Sequence, residues 1–290
     1  MNSTQSSPTL EVEDQLDQLA LARAVELLER PSFAARVADM AGEPIGQLLK
    51  ILPRAATDKI RDVVTATMLQ GLKVALSTLD TRPQEPSASQ SAPSSWAPNL
   101  VAALTGGAGG FFGLVALPLE LPVTTGLMLR TIAGIARSEG EDLRRARSKL
   151  ACLEVFALGS RSPELSAEAG YYATRVMLAR VVNEAASYIV ERGIADQTAP
   201  VIVRLINVIS SQFGVAVTEK AAIEAVPVVG ALGGATINVI FMDHFQKVAR
   251  GHFIIRRLER KYGAHSVRLL YNGSARRLAA SQGTVRLLKA

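Results

Sequence analysis

Cysteine is almost absent from this chain: Cys152 is the single one in 290 residues. That excludes a disulfide framework and any cysteine-based zinc cluster, and it reads as adaptation to a reducing compartment. Aromatic residues are scarce at 5%, while hydrophobic residues reach 48%. The apolar content is therefore mostly Ala, Leu and Val, which suits closely packed helices better than a β-sandwich. Histidine is limited to His244, His252 and His265. The first two fall on one expected helix, about 12 Å apart along its axis, too far to share an ion. No metal and no cofactor are expected. A nucleophile elbow, a Walker loop and a dinucleotide fingerprint are all missing, and Cys152 sits mid-helix with no base nearby in sequence. No run alternates at period two, so no sheet is expected. The first ten residues lack the basic start and apolar centre of a secretory signal.

Charge is present but polarised. The formal net charge is +6. Residues 1–43 hold eight acids against three bases, and residues 244–290 hold eleven bases against one acid, Glu259. A basic tail of this kind can meet anionic lipid, nucleic acid, or the acidic N-terminal region of the same or another chain. With few aromatics among the bases and no known motif, sequence-specific nucleic-acid binding is not expected.

The pattern along the chain is helical. After residues 1–9, expected to be disordered, Val12, Leu16, Leu19, Arg23 and Leu27 mark a 3.6-residue period. Another helix is expected from about Pro53 to Leu79. Residues 81–98 (TRPQEPSASQSAPSSWAP) read as a Pro/Ser-rich linker between an acidic helical region, 1–80, and the main domain, 99–263. A basic helical tail, 264–290, follows. Within the main domain, helices are expected over Glu141–Leu158 with Gly159 as cap, from Ser162-Pro163 to Gly193, and over Ala199–Phe213. The second of these carries the stripe Leu165, Ala169, Tyr172, Val176, Ala179, Asn183, Ala186 and Ile189. The expected fold is all-α: a compact multi-helix bundle with two glycine-rich apolar helical segments and an amphipathic N-terminal extension.

Those two segments are the sharpest feature. Neither Ala97–Leu119 nor Ala225–Met242 holds a charged residue. Gly106, Gly109, Gly110 and Gly113 in the first, and Gly230 and Gly234 in the second, have GxxxG spacing, which lets another backbone approach a helix closely. Glycine costs about 1 kcal/mol relative to Ala inside a helix, so a compensating contact is implied. Three contacts fit: helix packing in a core, a membrane-inserting hairpin, or a phosphate-binding loop. As a membrane span the first segment is marginal. Its nine Leu, Val and Phe residues supply about −3 to −5 kcal/mol at most, opposed by five glycines, Asn99, Thr105 and Pro118. Glu120 and Arg130 are charges in apolar surroundings, read either as site residues or as a structural ion pair.

Three blocks, Ala116–Leu143, Lys149–Gly159 and Glu219–Gly263, together resemble the EcsC family over roughly residues 100–263. The resemblance implies a helical domain of bacterial origin with a link to membrane transport or secretion. It supplies no catalytic residues. The polar positions falling in these blocks are Glu120, Arg130, Glu154, Glu219, Lys220, Asn238, Asp243, His244, His252 and Glu259. They form either a site or a set of pins holding the helices in register. The expected function is that of a non-enzymatic, membrane-associated accessory protein. It would be cytoplasmic, at the inner face of the membrane, with an anionic membrane surface or a membrane transporter as partner. The alternatives are a soluble helical scaffold and an enzyme using Glu120, Asp243 or His244.

Overall fold

The computed structural model describes residues 15–29, 33, 35–37, 53–78, 113–160, 170–193, 198–224 and 234–287. Among these, every regular element is helical. In chain order they are α1 (Gln15–Leu28), α2 (Arg54–Thr78), α3 (Gly113–Ser138), α4 (Ala146–Leu158), α5 (Tyr171–Arg192), α6 (Pro200–Glu224), α7 (Gly234–Tyr262) and α8 (Ala264–Leu287). The all-α expectation holds. The Pro/Ser linker, Gly106, Gly109, Gly110 and Gly230 lie outside the described residues. Gly113 and Gly234 are the first residues of α3 and α7.

The chain reverses where glycine permits it. Gly140, Gly193 and Gly263 have positive φ, which a side chain disfavours, and they end α3, α5 and α7. Gly159 also closes α4, but with right-handed geometry. Here the reason for glycine is space: a Cβ would stand 2.6 Å from the Phe245 ring.

α4 is buried on every side, from Ser148 to Leu158. Around it α2, α3, α5, α6 and α7 share one continuous core, which α1 joins through α7. α7 is the long axis of the fold and packs against α1, α3, α4, α6 and α8. Its crossing with α1 is very close. A Cβ at Gly251 would lie 2.6 Å from Leu28 and 3.2 Å from the Ala24 carbonyl oxygen.

Four sequence expectations change. The helix expected from Glu141 begins at Ala146, after a turn over residues 141–145. On α1, Leu16 and Leu19 face solvent, Leu16 being 72% exposed, while Leu27 of the expected stripe is buried together with Asp17, Leu21, Ala24, Val25 and Leu28. Both faces of α1 carry leucine, and the tie is broken by partners of Asp17 on α7. On α5 the buried stripe is Tyr171, Thr174, Leu178, Val182, Ala185, Ala186 and Ile189, so Ala186 and Ile189 of the expected stripe are buried while Val176 is outside. The stripe is rotated because Tyr171, rather than Tyr172, enters the core. Finally, α6 does not stop at Phe213. It continues through Gly214 to Glu224, because Ala216, Val217 and Ala221–Ile223 are buried beyond it.

Replacing Gly251 by Ala should destabilise the protein by about 1–3 kcal/mol through overpacking. Gly134, exposed on α3 with nothing within 4 Å of a built Cβ, is the control. Gly134→Ala should stabilise by about 0.4–1 kcal/mol. Urea titrations of both variants measure the pair of signs.

Candidate functional site

Helices α3, α6 and α7 meet at one end of the bundle around a single buried ammonium. Lys220 lies one turn before the end of α6, with its side chain 2% exposed. Its Nζ donates to Glu120 of α3 at 2.8 Å and pairs with Glu224, one turn along its own helix, at 2.8 Å. The Phe241 ring of α7 has its centroid 6.0 Å from the same nitrogen. Burial alone would lower the Lys220 pKa, but Glu224 and Glu120 outweigh it and the pKa is raised. At Glu224 burial dominates, and with Glu120 it raises the pKa against the pull of Lys220.

Two carboxylates therefore share one ammonium. Thr124, one turn beyond Glu120, and Asn238, one turn before Phe241, are buried, and Thr124 Oγ1 and Asn238 Oδ1 have no hydrogen-bond partner among the described residues. Pro118 and Pro122 lie inside α3 on either side of Glu120, and each removes one ladder N–H. Over residues 113–129 and 221–242 the only charged residues are Glu120 and Glu224. Beside them Leu119 is 80% exposed, Val123 is 49% exposed and Val239 is 50% exposed. The helix ends from which residues 97–112 and 225–233 depart thus stand at one apolar pole.

The opposite end of the α3–α7 pair is dense with charge. Asp17 accepts hydrogen bonds from Arg257 at 2.8 Å, Lys261 at 2.6 Å and Tyr262 at 2.9 Å. The Lys261 bond most of all, with those of Tyr262 and Arg257, outweighs burial and lowers its pKa to about 2. Arg257 also reaches Glu139, and Glu141 is gripped by Arg256, Arg260 and Ser148. Arg175 binds Glu259 through two bonds of 2.6 Å. Midway along α7, Arg36 and Lys247 both bind Asp243. The α7 bases Lys247, Arg256, Arg257, Arg260 and Lys261 are thus engaged within the chain, two of them, Arg257 and Lys261, by Asp17 of the N-terminal region.

The remaining expected site residues scatter. His244 donates from Nε2 to the Gly159 carbonyl at 2.7 Å. His252 is fully buried, and its Nδ1 lies 2.9 Å from the Tyr171 hydroxyl. Its Nε2 has no hydrogen-bond partner among the described residues and stands 4.0 Å from Glu154. Burial, with Arg175 and Arg256, holds His252 well below its ordinary pKa, and burial raises that of Glu154. Tyr171 also lines a cleft of about 550 Å³ between α1, α5 and α8, together with Tyr172, Tyr271 and Glu29. Burial pushes the Cys152 thiol up to about 12, so it is protonated at neutral pH. Arg130 is exposed on α3, and Glu120 pairs with Lys220 in its place. Glu120, Asp243 and His244 bind three different partners and do not share a pocket. Among the described residues no three His, Cys, Asp or Glu side chains converge as a metal site requires.

The sequence profile of the EcsC protein family matches residues 20–258. The chain belongs to the EcsC family. No curated protein and no solved structure matches it. The EcsC match begins inside α1, so it takes in the N-terminal helices that the resemblance over residues 100–263 left out. It also spans every residue of the Glu120–Lys220–Glu224 cluster. Glu224 escaped the sequence reading, although its i, i+4 spacing from Lys220 was the available signal. Gly159 and Gly251, the glycines in close contact, also went unnoticed as packing positions, because neither forms a GxxxG pair with another glycine.

Two pH effects follow. Asp17→Asn should cost about 1 kcal/mol at neutral pH by leaving the partly exposed Arg257 and Lys261 short of a partner. Because the Asp17 pKa is lowered, its contribution is full above about pH 4 and fades as pH falls toward 2, so variant and parent should converge in acid. Glu219 behaves oppositely: burial pushes its carboxyl up to about 7. Its stabilising neutral form is lost as pH rises through 7, so Glu219→Gln should gain on the order of 2 kcal/mol at about pH 8 and little at about pH 5. Thermal melts across pH measure both.

Proposed function

We propose that this EcsC-family protein is a non-enzymatic, peripheral membrane accessory protein that meets the bilayer with the pole where α3 begins and α6 gives way to α7. The observation that carries this reading is the charge-free apolar rim of Leu119, Val123 and Val239 around an internally compensated cluster. Apolar contact of this kind favours the headgroup–acyl boundary and needs no anionic lipid. The pairing of the α7 bases within the chain supports the same view, since it leaves fewer cations to attract an acidic surface.

α6 is the described helix long and apolar enough to cross a membrane by length and composition. It packs against α2, α4 and α5 and carries the buried Lys220, which suits a core helix. The contact proposed is therefore superficial, at the inner face of the cytoplasmic membrane, with a membrane transporter as the natural protein partner.

Flotation of the full chain with vesicles is the test. Binding to neutral phosphatidylcholine vesicles should persist at high salt, and Leu119→Asp with Val123→Asp should reduce it at least tenfold, about 1.4 kcal/mol or more. Binding confined to anionic vesicles and abolished by salt would shift the contact to exposed α8 bases such as Arg276 and Arg277. No binding to either vesicle would reject the reading.

A further inference from the structure

The Glu120–Lys220–Glu224 cluster holds one more carboxylate than ammonium. In water a surplus charge is inexpensive, but against lipid it is not, because removing an ion from high dielectric costs several kcal/mol even after relaxation. The cluster stands directly behind the Leu119–Val123–Val239 rim, on the turns of α3 and α7 that carry it. Both carboxylates are largely buried, Glu120 at 14% and Glu224 at 11% side-chain exposure, so solvent does little to screen the surplus.

We propose that this cluster is a proton-operated switch on the docking of the pole, an inference that rests on the membrane reading above. At higher pH both carboxylates are ionised and the cluster carries a net negative charge, which opposes burial against lipid. Acidification adds one proton from solvent to the Glu224 carboxylate. No other bond changes: Lys220 keeps its pair with Glu120, the cluster becomes neutral, and the pole docks.

Glu224 is the proton acceptor because of what faces it. From its own helix the charged neighbour is Lys220, and from α3 it is Glu120. α7 contributes the Phe241 ring against Lys220, with Asn238 one turn earlier, and neither can titrate. Burial and the like charge of Glu120 together outweigh the attraction of Lys220, which favours the protonated form of Glu224.

The test has a vesicle arm and a solution arm. In the first, the full chain and its Glu224→Gln variant are floated with phosphatidylcholine vesicles at about pH 5 and about pH 8. The parent should bind roughly tenfold better at the lower pH, the equivalent of about 1.4 kcal/mol. Glu224→Gln should bind at the higher pH as the parent does at the lower one, and lose its pH dependence. Glu120→Gln, which also removes the surplus charge, gives the same readout should the first variant not fold. In the second arm, ¹³C NMR of labelled glutamate carboxyls follows the signal lost in Glu224→Gln, without vesicles.

A Glu224 titration at or below the ordinary carboxyl range overturns the switch whatever the vesicles show. So does parent binding that is equal at both pH values, or a variant that keeps the parent's pH dependence. Absence of binding at every pH, with a raised Glu224 titration in solution, overturns the membrane reading and the switch built on it.

Discussion

One buried ammonium joins three helix ends. Lys220 ties the start of α3 to the last turn of α6 and sits over the Phe241 ring near the start of α7. Without its two carboxylates the charge could not remain at 2% exposure, and without the charge two buried carboxylates would repel each other. The arrangement fixes the start of α3, the end of α6 and the start of α7 relative to one another. The pole is therefore defined by an electrostatic contact, even though its surface is apolar.

The rest of the molecule reads as support for that contact. α7 runs from this pole to a second, charged one, where Asp17, Glu139 and Glu141 hold Arg256, Arg257, Arg260 and Lys261. α1 is bound to α7 at that charged end and comes within contact of Gly251 partway along. A chain whose formal charge is +6 thus spends most of the α7 bases on its own acids and leaves one end nearly uncharged. Charge segregation on this scale gives the bundle a direction, which an accessory protein approaching a surface from one side requires.

How much of this was legible in the sequence depended on distance along the chain. Local signals worked: Pro53 marks the start of α2, and Gly193 marks the end of α5. Glu120 stood out as a lone charge in an apolar stretch. Its partner did not, because Lys220 lies 100 positions away while Arg130 is only ten residues off. The buried face of α1 was likewise undecidable locally, since Leu16 and Leu19 match the period as well as Leu21 and Leu28 do. The choice is made by Arg257 and Lys261, more than 200 residues later. GxxxG spacing drew notice to glycines outside the described residues, whereas the measurable close approaches occur at isolated ones, Gly159 against Phe245 and Gly251 against Leu28.

The central claim is that the uncharged pole, and no other face, meets the bilayer. Cys152 is buried and its thiol is protonated, so a single introduced cysteine can carry a polarity-sensitive fluorophore. The decisive measurement places that probe at Val239, beside the pole, and separately at Val203, which is also exposed but lies on α6 about 25 Å from Lys220. On adding vesicles, emission from the Val239 site should shift to the blue while that from the Val203 site stays unchanged. A shift at Val203 with none at Val239 would contradict the account.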